Sequence, residues 1–514
     1  MKRLFNVTGA CNPQRHYMVD ISGKLYEIEK MIETGQYFII NRPRQYGKTT
    51  AMYALERMLK DKYLMIQTSF EGIGDSAFES EDSFCRVFLE LLGEGARFNS
   101  TELSDYLMQR SEDIGTFKEL SGAITDFIVK SEKDVVLMID EVDKSSNSQL
   151  FLSFLGMLRT KYLAAAQGKD YTFLSVILAG VHDIKNLKLK IRSNSEKKLN
   201  SPWNIAADFR VDMSFSVKEI ESMLSDYTNE TGISMDISLI SQEIRKFTNG
   251  YPYLVSRLCK NIDEYLDRDW NLRGLEASIK MTLKEKSTLF DDVIKNLENN
   301  SELKALVYEI LVEGRKINYN PDAYEKGIMY GILMEKQGKI EIHNKLFEER
   351  IYDYLLAQQE MRALAARFTD VDEKRLIEGG RLDMEKVLLK FQEFMYEQYR
   401  QEDERFYETN GRLIFLAYLR PILNGRGFSF VEAQTRENRR MDVVITFGAE
   451  KFVVELKIWN GRKYEEKGLE QLADYLEMQR LDAGYMVVFN FNSNKKYSTE
   501  WVEVKARKIF EVVV

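Results

Sequence analysis

Apolar positions in this chain recur with two different periods, and the switches between them divide it into segments. Up to about residue 215, strand-like runs rich in apolar residues at 37–40, 65–70, 135–139 and 173–179 alternate with amphipathic helical stretches. Runs that are apolar at every position, such as 135–139, fit strands covered on both faces, and their alternation with helical stretches predicts an α/β fold on a parallel sheet. From 216 to 295 the strand signal is lost and helices are expected, one at 217–227 and another at 254–266, separated by the punctuation Gly250-Tyr251-Pro252. Residues 296–356 read helix, helix, then a short hairpin between Gly331 and Ile342, an order compatible with a winged helix. Residues 357–400 are rich in Gln, Glu and Arg and read as a charged helical connector, and 401–514 read as a long helix, short β runs, a helix and a last β run.

Composition narrows the chemistry. With 514 residues the chain has room for several domains, and 44% hydrophobic with 30% charged residues is ordinary for a soluble globular protein. The net charge of −8 does not advertise nucleic-acid binding by the chain as a whole, though local basic patches can still supply it. The three cysteines, Cys11, Cys85 and Cys259, are too few and too widely spaced for a disulfide framework or a zinc ribbon. The only histidines are His16, His182 and His343, so hydrolysis is expected to rest on carboxylates, lysine and a hard cation. Neither a signal peptide nor an apolar run of membrane length is visible, and a cytoplasmic protein with no membrane contact is expected.

Between the first apolar run and the helical stretch beginning at Ala51 lies Arg42-Pro43-Arg44-Gln45-Tyr46-Gly47-Lys48-Thr49-Thr50. Strand, loop, Gly-Lys-Thr, helix is the layout of a phosphate-binding loop, whose backbone N–H groups face phosphate oxygens. Lys48 supplies a charge for the β- and γ-phosphates and Thr49 a hydroxyl for Mg²⁺. The glycine that usually opens such a loop is replaced by Arg42. A second element supports nucleotide chemistry: the run 135–139 ends in Asp140-Glu141, placing carboxylates at the carboxyl end of a buried strand, where open α/β sheets hold ligands. Asp140 would orient the Mg²⁺ shell and Glu141 polarise the attacking water. His182 or Asp183 is a candidate for the γ-phosphate, with a plain loop role on an equal footing; the basic run from Lys185 to Lys198 reads first as a solvated basic face and second as the place of an arginine finger, Arg192, or of a nucleic-acid contact.

Together the stretches NRPRQYGKTT, MIDEVD, SPWNIAADF and NGYPYLV resemble the AAA-ATPase-like proteins allied to archaeal-type ATPases and the STAND signalling NTPases. The resemblance covers about the first 355 residues and makes Arg-Pro-Arg before Gly-Lys-Thr a family trait. It implies ATP and Mg²⁺ as cofactors, Arg44 to Thr50 with Asp140 as the binding residues, and a helical lid in which Pro252 of the Gly-x-Pro motif packs near the adenine. A winged helix follows the lid.

A second constellation lies near the end. Residues 441–447 and 452–458 alternate as two strands around a tight turn at Gly448. Val443, Ile445 and Phe447 share one face with Phe452, Val454, Leu456 and Ile458; Asp442, Glu455 and Lys457 fall on the opposite face. A two-residue turn sets Asp442 opposite Glu455, and a four-residue turn sets it opposite Lys457. Two carboxylates and a lysine suit a Mg²⁺ ion, with Leu456 O as a third ligand, and point to metal-assisted hydrolysis of a phosphodiester. An ordinary cross-strand ion pair is the bland alternative.

This arrangement resembles the PD-(D/E)XK nuclease superfamily over about residues 400–514. The resemblance implies a restriction-endonuclease-like α/β domain with Glu432 as an upstream acid, Asp442 and Glu455 as metal ligands and Lys457 as the catalytic lysine. Gln471 and Tyr475 match a Gln-x-x-x-Tyr element on the following helix. Arg440-Met441 stands where members often have Gly-Arg. Arg436, Arg439, Arg440, Arg462 and Lys463 are candidates for tracking a phosphate backbone, with a solvated rim as the equal alternative. The expectation is a P-loop ATPase domain (1–215), helical lid (216–295), winged helix (296–356), connector (357–400) and nuclease-like domain (401–514). Such a protein would act on nucleic acid, DNA first, as a homo-oligomer, in a setting such as antiviral defence or mobile-element biology. A STAND-like scaffold whose C-terminal domain binds without cutting is the competing class, and a winged-helix transcription regulator ranks behind it.

Overall fold

In a computed structural model the first apolar runs become strands β1 (Phe38–Asn41), β2 (Leu64–Ser69), β3 (Val135–Asp140) and β4 (Ser175–Gly180). The structure describes the chain apart from residues 1–2, 146–148, 182–202, 313–314, 359–375, 399–403, 424–426, 433–441, 449, 460 and 493–494. The candidates His182, Asp183, Arg192, Arg436, Arg439 and Arg440 therefore lie outside the described residues. Contacts gather the rest into two units: Met1–Thr282 with Glu325–Ile332, and Leu283–Tyr324 with Leu333–Val514.

In the first unit the strands pair in the order β1-β4-β3-β2, all parallel. Every residue of β3 and β4 is buried, as expected for central strands covered on both faces. Beside β1 the chain returns at Ala207, whose N–H donates to the Tyr37 carbonyl at 2.7 Å. Helix α1 (Lys48–Leu59) follows β1 directly.

After residue 215 the expected helices appear: α2 (Val217–Thr231), α3 (Ile237–Thr248) and α4 (Pro252–Tyr265). Ser216 and Glu219 form a capping box that starts α2, and left-handed Gly232 ends it. Pro252 opens α4, where its missing N–H costs nothing. The N-terminal segment reaches this helical layer: Arg3 bonds Asp226 at 2.6 Å, and Phe5, Tyr17, Tyr227 and Trp270 form one aromatic cluster. Gly250 makes the turn before α4 possible. At φ +70° it accepts from the Phe215 N–H at 2.8 Å, and a Cβ there would stand 2.1 Å from Phe215 O.

In the second unit, α5 (Ser301–Leu311) and α6 (Lys345–Leu356) accompany a small antiparallel sheet, β5 (Ile317–Asn318), β6 (Leu333–Lys336) and β7 (Lys339–Ile342), in the order β5-β7-β6. A short ladder, β8 (Ile377–Glu378) with β9 (Arg381–Leu382), precedes α7 (Met384–Gln398) and α8 (Glu404–Leu423). Then come β10 (Gly427–Glu432), β11 (Asp442–Phe447), β12 (Glu450–Ile458), α9 (Arg462–Met478), β13 (Ala483–Phe489), β14 (Ser498–Val504) and β15 (Arg507–Val513). These strands form one sheet, β10-β11-β12-β13-β15-β14, in which β12, β13 and β15 are parallel to each other.

Both faces of this sheet are covered. On one, Leu469, Leu472, Ala473, Tyr475 and Leu476 of α9 pack on Val444, Val453, Met486 and Val488. On the other, Phe391 of α7 meets Phe489 at 6.2 Å and Gln392 donates to the Val513 carbonyl at 2.8 Å. The stretch read as a connector thus supplies part of this core through α7. Helix α8 joins two groups of elements within one turn: Asn410 accepts from Tyr308 of α5, Arg412 donates to the Leu311 carbonyl and to Tyr352 Oη of α6, and Gly411 faces the Phe489 ring. Among the described residues no helix is long and apolar enough to cross a membrane.

Substituting Gly250 tests the turn. Gly250→Ala combines positive-φ strain with a backbone clash and is expected to cost roughly 3 kcal/mol or more. Gly232→Ala, at φ +71° with open space around it, should cost about 1 kcal/mol. Equal losses in urea unfolding would refute the close-approach account.

Candidate functional site

The loop from Arg42 to Gly47 turns tightly after β1. Arg42 is not in the cradle: its guanidinium donates to Val211 O at 2.7 Å and Asn41 O at 3.0 Å and lies 5.0 Å over the Phe209 ring. It serves as a post that fixes the end of β1, which accounts for an arginine where a glycine is usual. Pro43 and Tyr46 are buried, while Arg44 and Gln45 are exposed at the tip, Gln45 at φ +57°. Tyr251, just before α4, clamps the loop. Its hydroxyl donates to Arg44 O at 2.5 Å and its ring meets Tyr46 edge-on at 4.8 Å. Gly331, at φ +70°, leaves space for the Pro43 ring, which a Cβ would meet at 2.5 Å. Pro252 lies behind Gly47, 3.9 Å from where a Cβ would be.

At the start of α1, Lys48 is buried and its Nζ donates to the Arg42 and Pro43 carbonyls at 3.0 and 3.1 Å. The loop's own oxygens thus solvate the ammonium. Burial pulls the Lys48 pKa down, and Glu141, Asp143 and Asp140 offset this. Thr49 Oγ1 donates to Asp140 Oδ2 at 2.5 Å, bringing a hydroxyl and a carboxylate oxygen together at the carboxyl end of β3. That hard-oxygen donor set fits Mg²⁺ carried with a nucleotide. Glu141 holds the left-handed conformation (φ +53°), uncommon for a side chain with a Cβ and frequent at functional sites. Burial first, and Asp140 second, raise its carboxyl pKa, the direction a general base needs. The Thr50 hydroxyl is engaged otherwise: it accepts from the Cys11 N–H at 3.0 Å, tying the N-terminal segment to α1.

Sequence reasoning missed three supports here: Tyr251 as a clamp, Gly331, and Asp143. Asp143 Oδ2 accepts from the Val181 N–H at 2.6 Å and fits only because Gly180 has no side chain, since a Cβ would stand 2.9 Å from Asp143 Oδ1. The turn glycine just before β6 was the available signal for the second of these.

In the second unit, β11 and β12 pair with Asp442 opposite Glu455 and Phe447 opposite Glu450. The two-residue turn is the register adopted. Pairing then extends a single row across all six strands: Glu432, Asp442, Glu455, Met486, Glu511 and Glu500. Paired residues share a face, so five carboxylate-bearing positions line one side of the sheet. Glu455 and Glu511 stand toward the carboxyl-terminal ends of parallel strands. Lys457 lies two residues beyond Glu455 on the same face, its Nζ 3.8 Å from Glu455 Oε1, and both are buried, to 6% and 1% exposure. Leu456 belongs to the other face and is buried there, leaving its carbonyl as the donor considered above. On α9, Tyr475 is buried against this face and Gln471 is half-buried. Arg462 is exposed, 3.8 Å from Glu466. The side chains of Glu432, Asp442 and Lys463 are not among those described. Among the described residues no three His, Cys, Asp or Glu side chains converge as a metal site.

Glu511 was not foreseen. A single acid inside the apolar run Ile509-Phe510-Glu511-Val512-Val513 was the signal. It is 4% exposed. Burial, then a hydrogen bond with Glu465, push its pKa up to about 8; Glu465 and Glu500 repel its charge, and Lys457 favours it.

A parallel sheet with Gly-Lys-Thr after its first strand and an acid pair ending an interior strand defines a P-loop NTPase-type domain. Residues 15–353 match the family model for the AAA-like domain, and the chain belongs to that family. No curated protein matches it. Solved structures similar to it include a Walker-type ATPase of Pyrococcus abyssi, at 12% identity over 68% of this chain and 99% of that one (TM-score 0.45). Others are a variant of Thermotoga maritima RuvB (14%, 66% and 95%, 0.33) and the Aeropyrum pernix ORC1 protein in complex with DNA (10%, 67% and 94%, 0.30).

Lys48→Ala should weaken ATP binding by about 3 kcal/mol, on the order of 100-fold, in titration calorimetry; unchanged affinity would remove Lys48 from the site. For Glu511 the folded pKa lies above the unfolded value of about 4.3. The folded state therefore holds the extra proton, and stability falls as pH rises through the window up to about 8. Glu511→Gln should flatten that fall by up to roughly 1 kcal/mol per pH unit, read from denaturation midpoints at pH 5, 6.5 and 8.

Proposed function

We propose that this chain binds and hydrolyses ATP and that its C-terminal α/β domain is a Mg²⁺-dependent phosphodiesterase acting on nucleic acid, DNA first. The observation carrying the second half is the register that sets Asp442 opposite Glu455, with Glu455 and Lys457 both buried toward the carboxyl end of β12. Burying a carboxylate and an ammonium costs several kcal/mol per ion before their attraction is counted, and a row of further acids beside them adds repulsion. Such an arrangement is sensible where a cation and a phosphate complete it. An ordinary cross-strand ion pair would sit on a solvated face, and this face is covered.

In the ATPase half, Lys48 holds phosphate oxygens, Thr49 and Asp140 hold the cation, and Glu141 accepts the proton of the attacking water. Tyr251 and Pro252, from the Gly-x-Pro turn, hold the loop against the lid and so relate lid position to loop conformation. In the nuclease half, Asp442, Glu455 and the Leu456 carbonyl are the hard-oxygen donors that would hold Mg²⁺. The ion, when bound, polarises the phosphate and acidifies a water. Lys457 orients that water and offsets charge on the phosphate, while Glu455 keeps the lysine in place. Domain limits at 215, 295 and 356, with the C-terminal domain beginning before 400 so as to include α7, and assembly as a homo-oligomer, belong to the same proposal.

Purified full-length protein should cut DNA in Mg²⁺ and stop when EDTA is added. Asp442→Asn and Lys457→Ala should each lower the rate roughly 10³-fold, with single- and double-stranded DNA and RNA compared with and without ATP. Binding of nucleic acid without cutting by the parent protein would favour the scaffold class instead, and full activity in both variants would assign the chemistry elsewhere.

A further inference from the structure

Helix α9 carries a glycine where a helix gains nothing from one. Gly468 lies in its interior and is not in the left-handed region, so the backbone does not require it, and alanine would make the better helix. Space requires it. A Cβ at 468 would stand 1.9 Å from Lys457 Nζ, 2.9 Å from its Cε and 3.0 Å from its Cδ. The last three atoms of the lysine lie along this one residue.

A lysine in the open could swing clear of an added methyl group. Lys457 is 6% exposed and cannot do so without displacing its neighbours. The helix cannot back away either, because Leu469, Leu472 and Leu476 are seated among Val444, Val453 and Met486. Gly468, Gln471 and Tyr475 follow at helical spacing, so the notch opens on the face of α9 that covers the acid row.

We propose that Gly468 is a positioning residue for Lys457: the gap it leaves in α9 seats the ammonium beside Glu455 and fixes where it can meet a phosphate. The proposal deepens the phosphodiesterase reading and rests on it for the lysine's role, but the seat itself can be tested without cleavage.

The experiment uses full-length protein and Gly468→Ala. First, reductive methylation of Lys457 by formaldehyde and borohydride is followed by peptide mass. The seated amine should react slowly, and Gly468→Ala should raise its rate at least ~10-fold as the amine is expelled toward solvent. Second, DNA cleavage in Mg²⁺ should lose on the order of 100-fold in kcat with KM little changed. Third, in a Lys457→Ala background Gly468→Ala should have no further effect on cleavage, since the two act as one unit.

If Gly468→Ala fails to fold, the Lys457→Ala/Gly468→Ala double variant should recover the thermal midpoint of Lys457→Ala. Unchanged methylation in a folded Gly468→Ala protein, further loss in the Lys457→Ala background, or no recovery in the double variant each overturns the seat. Faster methylation in a protein that never cuts nucleic acid leaves the seat standing and rejects the phosphodiesterase reading.

Discussion

Each candidate site is built around a lysine buried beside acids, and burying an ammonium is among the most expensive things a fold can do unless oxygen surrounds it. Lys48 and Lys457 are 8% and 6% exposed. Each lies close to the carboxyl end of a parallel strand: Lys48 just after the turn that follows β1, Lys457 within β12. For Lys48 the solution is main-chain carbonyls from a loop held by Tyr251, Gly331 and Arg42. For Lys457 it is Glu455 together with a continuous helix that presents a glycine at the contact. In both cases a charge is placed first and the surrounding backbone is shaped to accept it.

The direction of the strands explains why the two solutions look alike. In parallel pairs all carboxyl ends open on the same edge, so polar residues needed for a ligand collect there while the rest of each strand stays apolar. Asp140 and Glu141 end β3, and Glu455 and Glu511 stand near the ends of β12 and β15. Burial first, and after it the like charges gathered in this way, raise the carboxyl pKa of Glu141 and of Glu511.

Much of this was legible in the residues. Strands covered on both faces leave a strong apolar signal, and Gly-Lys-Thr, weak by itself, gains its meaning from the acid pair at 140–141 that ends another such run; the four first-unit strands lie within two residues of where the pattern puts them. The hairpin parity was legible too, but not its register, because turn length is decided by backbone conformation at Gly448 rather than by alternation. Alternation also suggested one core face and one polar face, whereas Val444 and Val453 put a second core beneath the acids. Long-range supports were invisible for a general reason. Arg42 with Val211, Tyr251 with Arg44 and Gly468 with Lys457 join positions that no local pattern links, and only folded geometry shows which glycine is there for space.

Helix α8 has a consequence of a different kind. Residues 410–412 belong at once to the core that contains α5 and α6 and to the one beneath Phe489. A helix shared in this way cannot come loose from one neighbour while remaining ordered on the other. The small antiparallel sheet with its helices and the six-stranded sheet are thereby joined into one cooperative block, whose amides should exchange with solvent through a common opening rather than through two independent ones.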